Sequence, residues 1–156
     1  MKSTLPGNTA ALLKASWADF EDAARELAEA DLNVKNLHAW MADWSTVASK
    51  AQELYSRLYC DTTLHTSDKA VEERFTRFMD EFFPKMMEAD QCLKEKLLAS
   101  GLEPEGFSIP LRNMRAEAGL FRQDNLPLIS ETQKLSQEYG RIVGSQTVQW
   151  DGQEVT

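Results

Sequence analysis

From residue 34 to residue 63 the chain carries apolar side chains at steps of three and four, with no glycine or proline among them. Leu37, Trp40, Met41, Trp44, Val47, Ala48, Ala51, Leu54, Tyr55, Leu58 and Tyr59 make up the stripe, which is the spacing of one face of an α-helix. About thirty helical residues span ~45 Å. A compact domain cannot bury such a rod end to end, so it must lie lengthwise against another long element. The chain supplies one immediately. Thr66-Ser67-Asp68 forms a polar turn, and a second periodic stretch runs over 69–100 through Val71, Phe75, Phe78, Met79, Phe82, Phe83, Met86, Met87, Leu93, Leu97 and Leu98. So short a join forces the two helices to be antiparallel neighbours. Pro84 falls inside the second helix, where it removes one backbone hydrogen bond and crowds the preceding turn. A kink or break is expected near Phe83. Gly101 is the expected stop.

The flanks add smaller elements. Residues 10–31 read as one helix with Trp17, Phe20, Ala24, Leu27 and Ala28 on a single face, and Asn33 is a suitable cap for the helix that follows. A loop over 102–107 leads into a helix opened by Pro110 and running to about 122. Asp124-Asn125 interrupts it, and Pro127 begins a further helix to Gly144, whose pattern is Leu128, Ile129, Gln133, Leu135, Tyr139, Ile142 and Val143. The period then changes to two. Residues 146–150 and 153–156 alternate polar and apolar side chains around Asp151-Gly152, the signature of a tight β-hairpin. The expected fold is all-α: a long antiparallel helical hairpin with additional packed helices and a short C-terminal β-hairpin. It divides into a frayed or disordered N-terminus (1–9), a helical domain (10–144) and a hairpin (145–156). A lone two-stranded hairpin is marginally stable, and this one is cut within its second strand, which suggests a fragment leading toward a further domain.

Hydrophobic residues make up 42% of the 156, with seven Phe, four Trp and six Met, enough to build a core and to argue against disorder. Asp and Glu outnumber Lys and Arg by 25 to 17, a formal net charge of -8. Such a surface repels phosphate backbones and anionic headgroups, which disfavours nucleic acid and membranes as partners. No apolar run approaches the ~18 residues of a membrane span, and the polar start around Pro6-Gly7 is unlike a signal peptide, so a cytoplasmic location is expected. Cys60 should face roughly Glu72 across the helical hairpin and Cys92 should lie ~30 Å further along, too far for a disulfide, so both should be free thiols.

Candidate chemistry is sparse. A zinc hydrolase needs three deprotonated ligands, commonly two His one helical turn apart plus a carboxylate. The only histidines, His38 and His65, are separated by most of the long helix, ~40 Å, and H-E-x-x-H is absent. Cys60 near His65 is no zinc site by itself, and within its helix it reads as a buried structural thiol rather than a nucleophile. No serine lies in G-x-S-x-G, and no glycine-rich phosphate loop exists. Glu72-Glu73, Asp80-Glu81 and Glu103 through Glu105 read as solvated charge, since nothing fixes a partner geometry. The stripes Trp40–Trp44 and Phe75–Phe83 read as hairpin core rather than as a peptide groove. No catalytic, cofactor-binding or metal-binding residue is assigned.

Several blocks resemble a known family. Lys94-Glu95-Lys96-Leu97-Leu98-Ala99-Ser100-Gly101-Leu102, followed by Ile109-Pro110-Leu111-Arg112-Asn113-Met114-Arg115-Ala116-Glu117-Ala118, is similar to the N-terminal region of oligoendopeptidase F enzymes. So are Leu120-Phe121-Arg122-Gln123-Asp124-Asn125-Leu126-Pro127-Leu128 and, most clearly, Ile142-Val143-Gly144-Ser145-Gln146-Thr147-Val148-Gln149-Trp150-Asp151-Gly152. The span from Trp40 to Thr62 resembles the family's long helix in spacing and aromatic content. The resemblance implies a cytoplasmic, thimet-type zinc metallopeptidase that cleaves short peptides in a deep channel, with a helical N-terminal region forming part of the wall. The zinc, its H-E-x-x-H ligands and a further glutamate would belong to a catalytic domain downstream, the partner of this chain, so the 156 residues alone are expected to be inactive. The rival expectation is a non-enzymatic helical-bundle interaction module whose aromatic stripe docks a partner helix.

Overall fold

The structure, a computed structural model, describes residues 5–155. Positions 1–4 of the segment expected to fray, and Thr156 of the expected second strand, lie outside them. The fold is all-α with a short C-terminal antiparallel hairpin.

The expected single helix over 10–31 is two. Helix α1 spans Thr9–Leu12, and the Asn8 side chain accepts from the Ala11 N–H at 2.9 Å to open it. Helix α2 spans Ala18–Glu29. The break has a local cause: Asp19 Oδ2 accepts from the Ser16 N–H (2.8 Å) and the Ser16 hydroxyl (3.0 Å), half of a capping box that starts a new helix. The break turns Leu12 into the core, where it is fully buried. Leu5 packs against the same core, and Lys50 Nζ donates to the Pro6 carbonyl at 2.7 Å, so the described part of 1–9 is tied down.

Helix α3 spans Leu37–Leu64. It begins three residues later than the periodicity suggests because Asn33 and Asn36 knit the preceding turn. Asn36 accepts from the Asn33 N–H and donates to the Asp31 carbonyl, while Asn33 accepts from the Lys35 N–H. After the turn capped by Asp68 comes α4, Lys69–Arg77, then a π-helical turn, Phe78–Phe82, then α5, Phe83–Ala99. The break expected near Phe83 therefore takes the form of an inserted residue. The Phe83 N–H donates to the Phe78 carbonyl, five residues back. Pro84 has no N–H to continue the α pattern, and the wider turn relieves its clash with the backbone before it. The insertion also keeps Phe78, Met79 and Phe82 all turned inward, each at most 6% exposed. Gly101, at φ 67°, supplies the left-handed residue that ends α5.

Helices α3 and α4–α5 run antiparallel. Arg74 pairs with Asp61 at 3.2 Å near the turn, and Trp44 Nε1 donates to Asp90 Oδ1 at 3.0 Å further along. Helix α2 lies against both α3 and α5. It is fixed by the edge-on packing of Phe82 on Trp17 and Phe20, with ring centroids 5.6 and 5.0 Å apart. Trp40 Nε1 and Lys96 Nζ donate to the Leu27 and Ala28 carbonyls, satisfying acceptors that the end of α2 leaves open. Helix α6, Ser108–Leu120, covers α5 through Leu111, and α7, Leu126–Gly144, crosses α5 and the π turn with Leu126 and Ser130 buried. Strands β1 (Val148–Trp150) and β2 (Gln153–Val155) pair with Val148 opposite Val155 and Trp150 opposite Gln153.

Two groups tie this packing to pH. Lys94 lies 3.0 Å from both Asp90 and Glu117, joining α5 to α6. Burial alone pushes its ammonium down, but the hydrogen bonds and charges of Asp90 and Glu117 outweigh burial, and its pKa is raised above 10.5. Burial, aided by Tyr59, raises the Tyr55 hydroxyl above 10.0. Both bind their protons more tightly when folded. Their contribution is therefore complete below about pH 10 and is lost as pH rises through the folded values. The melting temperature should fall above about pH 10, and Lys94→Met should remove part of that fall. An identical alkaline profile in the variant would contradict the assignment of Lys94.

Candidate interaction surface

The periodicity of α7 continues past the bundle that should cover it. Leu126 and Ser130 are buried, and Gln133, Lys134 and Gln137 are half-buried. Lys134 pairs with Asp80 of the π turn, and the Tyr55 hydroxyl reaches Gln133 at 3.5 Å. From Glu138 to Val155 every residue is exposed. Leu128, Leu135, Tyr139, Ile142 and Val143, expected to pack as the inner face, are instead open to water, Tyr139 at 70%.

The hairpin prolongs this apolar run. Its turn residues Asp151 and Gly152 have φ of 51° and 77°, the two positive values that a tight I′-type turn needs. Alternation then places Val148, Trp150 and Val155 on one face, with Gln149 and Glu154 on the other, where Thr147 bonds Glu154. The apolar face is uncovered, and Trp150 is 73% exposed. Scattered exposed apolar residues are ordinary on a protein surface, but this segment concentrates aromatic and branched side chains over a short length of chain, as interaction surfaces do. What it offers is apolar area and an unpaired strand edge.

The residues weighed for chemistry are dispersed. His38 is exposed on the first turn of α3, and His65 is exposed just past its last. Asp80 pairs with Lys134 and Glu103 with Arg115. Glu72, Glu73, Glu81 and Glu105 are exposed on their own surfaces. Among the described residues no three His, Cys, Asp or Glu side chains converge as a metal site would require. Cys60 and Cys92 are free thiols. The buried setting expected for Cys60 is corrected: it is exposed, because Leu54, Leu58 and Thr62 define the inner face of α3 there and Cys60 falls on the outer one. Trp40, Trp44, Phe75, Phe78 and Phe82 are buried core, as the stripe reading expected. No described helix is long and apolar enough to cross a membrane. Neither a protein-family model, a curated protein nor a solved structure matches the chain, so the likeness to oligoendopeptidase F rests on the sequence blocks alone.

Proposed function

We propose that this chain is a non-catalytic helical domain of a cytoplasmic zinc-dependent oligoendopeptidase, forming part of the wall of a channel that admits short, unfolded peptides. The observation that carries the reading is the free run from Glu138 to Val155, whose Tyr139, Ile142, Val143, Val148 and Trp150 are exposed together. The same stretch contains the block most similar to the family, residues 142–152. In this reading the arm is the face that joins a zinc-bearing region. The helical hairpin acts by stiffness, since a rod of its length excludes folded proteins by size. Zinc and its ligands belong to the joined region, not to these residues.

The purified 156-residue chain is then expected to leave a quenched fluorogenic peptide uncut with or without added zinc. The coding frame beyond codon 156 is expected to continue toward H-E-x-x-H. Zinc-dependent cleavage by the chain alone, or a stop codon at that point, would sink the proposal. A stop codon would favour the rival, a free-standing helical interaction module. Trp40, Trp44, Phe75 and Phe82 of the stripe expected to carry that docking are buried.

A further inference from the structure

A separate feature lies between α2, α3 and α5, independent of the peptidase reading. Beyond the π turn, α2, α3 and α5 line an open-mouthed cavity of about 220 Å³. Phe20, Trp44, Ala51 and Leu93 form its buried floor. Ala48 and Gln52 stand exposed at its mouth, with Met87 half-buried beside them.

The cavity follows from side-chain size. All three helices present alanine there, Ala24 from α2, Ala48 and Ala51 from α3 and Ala89 from α5, whereas nearer the hairpin turn Leu54, Phe75 and Phe78 fill the space. Native cores leave few voids larger than a water molecule. An apolar cavity of roughly 150 Å³ stays dry and takes up benzene, so the present one has room for about nine or ten heavy atoms by the same measure. Its mouth is open, so a ligand can enter without unfolding the bundle.

Polarity narrows the occupant. Asp90 is the one ionisable group lining the cavity among the described residues. Its Oδ1 accepts from Trp44 Nε1 and its Oδ2 from Lys94, each at 3.0 Å. The Lys94 ammonium neutralises the carboxylate, yet each carboxylate oxygen can accept a further hydrogen bond. An anion entering here would face Asp90 in apolar surroundings, and a cation would compete with Lys94. We propose that this cavity binds a neutral, largely apolar small molecule of about ten heavy atoms, a single or fused ring carrying one N–H or O–H donor directed at Asp90.

Indole is the probe, titrated into the ¹⁵N-labelled full chain and followed by two-dimensional NMR. Shifts should be confined to the amides around Phe20, Trp44, Ala51 and Leu93, with a dissociation constant on the order of 0.1–1 mM, as about ten heavy atoms in a small apolar site give. Ala48→Phe places a ring across the mouth at an exposed position. It should leave the spectrum of a folded chain and weaken indole at least about tenfold. Ala89→Phe, on the opposite wall, is the second plug should the first disturb α3. Indole-3-acetate should bind at least about tenfold more weakly than indole. Shifts spread over the surface, affinity untouched by either plug, or equal binding of the carboxylate would each overturn the proposal.

Discussion

Phe82→Ala is expected to lower the unfolding free energy by about 3–5 kcal/mol, the range for deleting a buried aromatic ring. Phe82 is 3% exposed and joins the π turn to the start of α2. Its ring takes Trp17 and Phe20 edge-on and stacks on Phe78 with centroids 4.9 Å apart. The ring sits at the last position of the π turn among other rings, so its removal leaves a cavity between the turn and α2. A typical domain has only about 5–15 kcal/mol in total, so the variant should unfold at much lower urea concentration and could be only partly folded in water. Phe82→Leu, which keeps most of the apolar volume, is the companion that should remain folded with a smaller loss. A Phe82→Ala chain whose urea midpoint matches the parent would mean that the contact between α2 and the π turn is misplaced.

The second large effect is expected to fall on association and not on stability. Replacing Tyr139, Ile142 and Trp150 together by serine removes three side chains that are each more than half exposed. Surface changes of that kind usually alter stability by less than about 0.5 kcal/mol apiece, so the three together should move the melting temperature by no more than about 6 °C. Binding is another matter. Buried aromatic anchors commonly contribute 2 kcal/mol or more each at an interface, and about 2.8 kcal/mol is a hundredfold in affinity. If the proposed function holds, calorimetric titration against the zinc-bearing region it calls for, expressed as a separate chain, should therefore show at least about a hundredfold loss. Unchanged affinity would remove the arm from the proposed function. A large drop in melting temperature would show instead that the arm packs on the bundle.

Phe82 and Trp150 illustrate why some of this protein is legible in its sequence and some is not. Both sit in strongly patterned segments, one at helical spacing and one at strand spacing. Pattern identifies which side of an element is apolar, but it does not say whether anything covers that side. For α3 and α4–α5 a short polar turn supplies the missing information, since it fixes where the partner lies. The join of α6 to α7 is nearly as short, yet α7 packs on α5, the π turn and α3 more than on α6. Leu135, Tyr139, Ile142 and Val143 carry the same signal as core residues and are exposed. Cys60 is exposed for a related reason: residue type suggests burial, while the position on the helix decides it.

Local chemistry accounts for the elements that the sequence determined by itself. The uninterrupted stripe of α3 required a long helix, Thr66-Ser67-Asp68 required an antiparallel return, Pro84 required a break, and Asp151-Gly152 required the tight turn of the hairpin. Each follows from backbone geometry over a few residues. The tertiary structure alone decided that the break becomes a π turn, which keeps Phe78, Met79 and Phe82 buried together. It alone placed a cavity lined by alanines between α2, α3 and α5, and left the end of α7 in water. Those outcomes depend on which surfaces meet and how their volumes fit, and packing between distant segments cannot be read from spacing along the chain.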